Sequence, residues 1–131
     1  MSRIRVGEWL EAYKKAWERR DANAAAALFT EDATYHEKPY DPPLRGSAGV
    51  HAYWTKVTAT QSDVRLSWGA PVVEGNRAAV QWWTNLKNDG ADITLAGAMF
   101  LTFATDGRCT DLTEYWHFGE GELAPQPGWG S

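Results

Sequence analysis

Between residues 77 and 118 the chain reads as three extended runs joined by two turn signals. Asn88-Asp89-Gly90 and Asp106-Gly107 offer the residue types that a tight hairpin turn needs. Side chains in a strand alternate between its two faces. The run over 77–87 therefore places Val80, Trp82, Thr84 and Leu86 on one face, with Gln81, Trp83 and Asn85 on the other. Over 93–105, Leu95, Gly97, Met99, Leu101 and Phe103 share a face; over 108–118, Leu112, Glu114 and Trp116 do. Runs joined by short turns pair as antiparallel neighbours, and strands this long curl. Gly97, small within an apolar stripe, is expected to mark a bend.

The earlier half has a different period. Val6, Trp9, Leu10, Tyr13, Ala16 and Trp17 recur at helical spacing, with charges on the opposite face, which predicts a helix over 5–20. Asp21 is placed to cap a short alanine-rich helix over 22–29. A short strand is expected over 33–37, and the proline-rich 38–43 cannot be helical. Gly46-Ser47 opens a third helix with Val50, Tyr53, Trp54 and Val57 as its stripe and Ser47 as its cap. One further strand is expected over 64–70, before a strand end at Val72-Val73 and a turn at 74–76. Helices early and a mostly antiparallel sheet late is the α+β pattern. At 131 residues the chain is expected to form one domain. Its core is expected over 6–118, with a loose tail rich in glycine and proline over 119–131.

Composition narrows the function. Eight tryptophans, five tyrosines and four phenylalanines exceed what a minimal core needs, since each buries roughly 150–250 Å². The surplus points to a cavity wall or a subunit interface. A net charge of −4 argues against nucleic acid as a partner. Lys14, Lys15, Arg19 and Arg20 alternate with Glu11 and Glu18 as a solvated helix face. No apolar run is long enough for a membrane span, and the N-terminus runs straight into an amphipathic pattern, so a cytoplasmic location is expected. Cys109 is the sole cysteine, which leaves no disulfide and no cysteine cluster for zinc. His36-Glu37 begins like a zinc protease motif, but Pro39 forbids the helix it requires, so no metal is expected.

Several segments together resemble the nuclear transport factor 2-like superfamily, in its SnoaL-like branch. They are Tyr13-Lys14-Lys15-Ala16-Trp17 with Asp21, Ala27-Leu28-Phe29-Thr30-Glu31-Asp32-Ala33-Thr34-Tyr35, Arg45-Gly46 through Tyr53-Trp54, and Asp106-Gly107-Arg108 through Glu114-Tyr115-Trp116. The similarity covers roughly residues 6–118. It implies a cone: a strongly curved, mostly antiparallel sheet with the three helices on its concave side and a pocket at the open end. It also implies homodimers, here expected through the outer sheet face around Trp83. Superfamily members include ketosteroid isomerase, scytalone dehydratase, limonene epoxide hydrolase, polyketide cyclases and noncatalytic binding proteins, among which fold does not choose.

The similarity to ketosteroid isomerase runs without a gap from Tyr13 to Glu37. It implies that Glu37 stands where that enzyme keeps its proton-shuttling aspartate and Tyr13 where it keeps its oxyanion tyrosine. The second oxyanion donor falls at or near Met99, which cannot donate. Glu114, between Leu112 and Trp116 on an inward face, is the other candidate acid or base, because burial raises a carboxyl's pKa. Trp17, Tyr35, Trp54, Trp82, Met99 and Trp116 are expected to wall the pocket. The resulting expectation is a protein with no cofactor that performs acid/base chemistry on a small apolar or aromatic molecule. Isomerase, cyclase, dehydratase and hydrolase remain open, as does a noncatalytic ligand-binding or dimeric accessory role.

Overall fold

The Ser2 side chain accepts the Arg5 N–H and starts α1 (Arg3–Glu18) in a computed structural model that describes residues 1–131. The stripe read from the sequence is its buried face: Val6, Trp9, Leu10, Tyr13, Ala16 and Trp17. Asp21 caps α2 (Ala22–Ala26) by accepting the Ala24 N–H. This helix ends earlier than its alanine content predicts, and β1 (Phe29–His36) begins four residues before the expected strand. The reason is a distant partner. The Leu28 carbonyl accepts the Cys109 N–H at 2.8 Å and the Trp9 indole N–H at 3.1 Å. Phe29 then pairs with Cys109, so tertiary pairing overrides helix propensity.

The proline-rich loop returns as a two-residue strand, β2 (Leu44–Arg45), paired to Thr34 and Tyr35. Arg45 occupies the cap position of α3 (Gly46–Thr58) without a side-chain capping bond, and Ser47 lies inside the first turn instead of capping it. Gly46 is required there: its φ is +72°, and a Cβ would lie 2.5 Å from the Glu31 carbonyl oxygen. Then follow β3 (Gln61–Trp68), β4 (Val72–Glu74), β5 (Arg77–Asn88), β6 (Ala91–Phe103) and β7 (Cys109–Glu120). β3 starts at Gln61, ahead of the expected residue 64, because a bulge between Ser62 and Arg65 carries its pairing to Asn88.

The seven strands form one sheet in the order β2-β1-β7-β6-β5-β3, with β4 also paired to β5. Only β1 and β7 run parallel; every other pair is antiparallel. Val80, Trp82, Thr84 and Leu86 face inward with Met99, Leu101, Phe103 and Leu112, in the predicted register. They share the core with the α1 stripe and with Val50 and Trp54 of α3. Gly97 stands opposite Trp116, and a Cβ there would lie 2.0 Å from the Tyr115 carbonyl oxygen. The backbones of β6 and β7 approach closely at this glycine. No helix is long and apolar enough to cross a membrane.

The tail corrects the expectation of looseness. β7 continues to Glu120, and the following residues return over the outer face of the sheet. The Leu123 carbonyl accepts the Trp83 indole N–H at 2.9 Å and the Asn85 amide at 3.0 Å. Its own N–H donates to Thr94 Oγ1 at 3.0 Å. Trp129 meets the Trp83 ring edge-to-face at 5.7 Å, and the Gly130 carbonyl accepts the Ala70 N–H. Trp83 thus points outward, as its register predicts, but this chain's own tail lies on it. Trp129→Ala is expected to cost about 1 kcal/mol in urea unfolding. An unchanged midpoint would mean that the ring pair contributes nothing.

Candidate functional site

Positions four residues apart on one helix face bring Tyr13 and Trp17 of α1 together above the sheet. Tyr53 and Trp54 come from α3, Tyr35 from β1, Trp82 from β5 and Trp116 from β7. These seven rings enclose a cavity of about 200 Å³. Its remaining lining is Glu37, Val57, Gln61, Leu95 and Glu114. The rings brace one another: Tyr13 to Trp54 at 5.3 Å, Trp17 to Trp82 at 5.9 Å and Tyr35 to Tyr53 at 5.8 Å between centroids. The Trp17 indole N–H donates to Gln61 Oε1 at 2.8 Å, which fixes both side chains. A cavity of about 150 Å³ takes benzene, so this one suits a single substituted ring.

Two carboxyl groups face this space. Glu114 is 6% exposed, and its Oε1 accepts the Tyr35 hydroxyl at 3.3 Å. Burial first, then the negative charge of Glu37, pushes its pKa up to about 8, against the opposing effect of the Tyr35 bond. Glu114 therefore holds a proton at neutral pH. Glu37 stands just past the end of β1. Its carbonyl accepts the Trp116 indole N–H at 3.2 Å, which ties the β1 end to β7. Burial raises the Tyr13, Tyr35 and Tyr53 phenols above their ordinary pKa, with the charge of Glu114 next for Tyr13 and Tyr35 and that of Glu37 next for Tyr53. All three remain donors. Glu37, Glu114 and Trp116 also border an outer groove of about 400 Å³ together with Lys38, Pro39 and His117. Both glutamates thus border the cavity and the outer groove. A larger hollow of about 460 Å³ on the outer sheet face holds Phe100, Asp111 and Tyr115, but neither of these glutamates.

Of the residues expected at the site, Tyr13, Trp17, Tyr35, Glu37, Trp54, Trp82, Glu114 and Trp116 meet in the cavity. Met99 does not. It pairs with Glu114 and is buried in the core, and Leu95 of the same strand lines the cavity instead. Tyr53, Val57, Gln61 and Leu95 were not read as site residues. Tyr53 and Val57 carried a signal, since they share the helical stripe of Trp54. Gln61 carried none. No three His, Cys, Asp or Glu side chains converge so as to hold a metal ion. His36 contacts Asp111 at 3.1 Å, and the buried Cys109 thiol is pushed up to about 12 by burial.

Residues 10–112 match the SnoaL-like domain. The chain belongs to the SnoaL-like family. Solved structures agree with this SnoaL-like fold at low identity. SalBIII, described as an epoxide hydrolase/cyclase-like enzyme in pyran ring formation in polyether salinomycin, superposes with a TM-score of 0.76 and 18% identity, over 87% of this chain and 94% of its own. A protein with a ketosteroid isomerase-like fold from Catenulispora acidiphila DSM 44928, in complex with trimethylamine, gives 0.74 and 19%, over 82% and 84%. A SnoaL-like polyketide cyclase, so described, from Shewanella denitrificans OS-217 gives 0.73 and 16%, over 85% and 89%. The SnoaL-like domain match places the chain in the nuclear transport factor 2-like superfamily, and these structures share its fold. No sequence among curated proteins matches it.

Proposed function

We propose that this SnoaL-like protein is an acid/base catalyst, with no cofactor, acting on a small, ring-sized apolar or aromatic molecule. The observation that carries the reading is that two carboxyl groups, the half-buried Glu37 and the buried Glu114, face one aromatic cavity. Burial and the charge of Glu37 keep Glu114 protonated at neutral pH, which gives one donor facing one acceptor. Glu37 removes a proton from the substrate, while Glu114 and the Tyr13 hydroxyl stabilise or protonate the oxygen that gains charge. Such a pair suits enolisation, loss of a C–O substituent and opening of a strained ether. The description of SalBIII as epoxide hydrolase/cyclase-like lends support to the last of these.

A small aromatic probe tests the base. 5-Nitrobenzisoxazole loses one C–H proton to a base as its N–O bond opens, and it is of the size the cavity admits. The wild type is expected to accelerate this opening, and Glu37→Gln is expected to lower the rate at least about 100-fold. Equal rates in the two proteins would overturn the role of Glu37. Tight binding of the probe with no acceleration would make the cavity a binding site only.

The second part of the reading is a homodimer through the outer sheet face. It is supported by the exposed Phe100 and Tyr115, 46% and 51% accessible, which meet edge-to-face at 6.2 Å on adjacent strands. Apolar rings grouped on one sheet face favour burial against another surface. Sedimentation at micromolar concentration is expected to give a dimer that Phe100→Glu with Tyr115→Lys converts to monomer. A monomeric wild type would sink it.

A further inference from the structure

Nothing in the cavity wall balances its negative charge. Glu37 and Glu114 front the space, yet no lysine, arginine or histidine borders it. The nearest basic groups are turned to other tasks. Lys38 lies over the Trp116 ring at 5.9 Å and, with His117, borders the outer groove. The Arg20 guanidinium donates to the Gln61 carbonyl at 2.9 Å. Glu114 is more than nine-tenths buried and takes its one protein hydrogen bond on Oε1, from Tyr35, which leaves Oε2 for an occupant.

Glu37 faces the cavity with no basic partner, and a neutral occupant that excluded water would leave its negative charge less solvated and still unpaired. An anion would be repelled. The wall is otherwise aromatic, and the faces of tryptophan and tyrosine attract cations more strongly once water is excluded. We infer that the cavity takes a compact ammonium ion with apolar substituents, its positive centre held by Glu37, by Glu114 Oε2 and by the surrounding tryptophan and tyrosine rings. This rests on the acid/base reading of the same site and names its substrate class: a ring-sized amine, protonated or quaternary. The volume of about 200 Å³ sets the size limit.

The groups facing Glu114 make the recognition depend on pH in a definite direction. Glu37 and Tyr35 face it from the β1 side, Tyr13 from α1 and Tyr53 from α3, with Lys38 and His117 at the outer groove. Glu114 gives up its proton as pH rises through about 8. The cavity then gains negative charge, and affinity for a cation rises between pH 7 and pH 9.

Choline and its neutral carbon analogue 3,3-dimethylbutan-1-ol differ in charge but hardly in shape. Calorimetric titration of the full chain is expected to show choline binding at least about tenfold more tightly at pH 8. That preference should grow several-fold from pH 7 to pH 9. Glu37→Gln should lower choline affinity about tenfold and leave the alcohol unaffected, and Glu37→Asp should restore most of the loss. Equal binding of the two molecules, tighter binding of the alcohol, or no binding of either overturns the inference. The benzisoxazole assay on the same samples separates the two readings. Glu37-dependent turnover without a preference for choline removes the amine and keeps the acid/base role. Choline preference with turnover unaffected by Glu37→Gln does the reverse.

Discussion

Gly97→Ala is expected to destabilise the protein by about 3 kcal/mol or more, the upper range for forcing atoms into a packed site. The reason is backbone, not side chain. A Cβ at this position would lie 2.0 Å from the Tyr115 carbonyl oxygen and 2.7 Å from the Trp116 Cα. Neither can swing away as a side-chain tip would, so β6 and β7 must part. Trp116 is the residue directly opposite Gly97, and its indole N–H holds the Glu37 carbonyl. The damage should therefore reach the cavity. In urea unfolding the midpoint should fall with little change in slope, and tryptophan fluorescence of the folded variant should shift. A loss under about 0.5 kcal/mol, the level of an ordinary surface change, would show that the two strands do not approach this closely.

This pinch illustrates which parts of the molecule were legible in its sequence. Gly97 stood out because it interrupts an apolar stripe, and the hairpin before it was marked by Asn88-Asp89-Gly90. In the structure Asp89 and Gly90 take φ of +51° and +82°, and β5 pairs with β6 in unbroken register from Arg77–Thr102 to Asn88–Ala91. Those signals are local, and local chemistry decided them. The α2–β1 boundary was not decided locally. Ala27, Leu28 and Phe29 suit a helix, but Ala27 and Leu28 form a turn and the parallel partner at Cys109 draws Phe29 into a strand. The tail follows the same rule: its composition suggests freedom, but Trp129 finds Trp83. Face counting put Trp82, Glu114 and Trp116 on the face that lines the cavity, and the family resemblance pointed to Tyr13 and Glu37, which line it too. Gln61 was invisible because its reason for being buried is the Trp17 indole, 44 residues away in sequence. Met99 was misplaced because alternation says which face a residue takes but not where along a bent sheet the cavity ends.

Glu114→Gln is expected to stabilise the protein in mildly alkaline solution and to flatten its pH profile. The carboxyl releases its proton near 4.5 in the unfolded chain but near 8 in the folded one. Between those values the unfolded state has lost the proton that the folded state still holds. Folding then takes up a proton, so stability falls as pH rises across this window, by up to about 1.4 kcal/mol per pH unit. Above pH 8 the deficit reaches its full size, on the order of 5 kcal/mol. Glutamine keeps the shape and remains able to accept the Tyr35 hydroxyl, but it has no proton to lose. Urea unfolding at pH 5.5, 7 and 8.5 measures both slopes. The wild type should weaken steadily, and the variant should hold nearly level and exceed it most at pH 8.5. Asp92 and Asp106, held below the usual carboxylate range mainly by hydrogen bonds from Lys87 and Arg108, act at the acid end and in the opposite sense. They do not imitate this slope. Identical profiles for the two proteins would place the Glu114 carboxyl in a hydrated setting and remove the donor from the proposed pair. A steep wild-type slope abolished by the variant would show that this chain gives up stability to keep a protonated acid inside an aromatic cavity, a cost that function, not packing, accounts for.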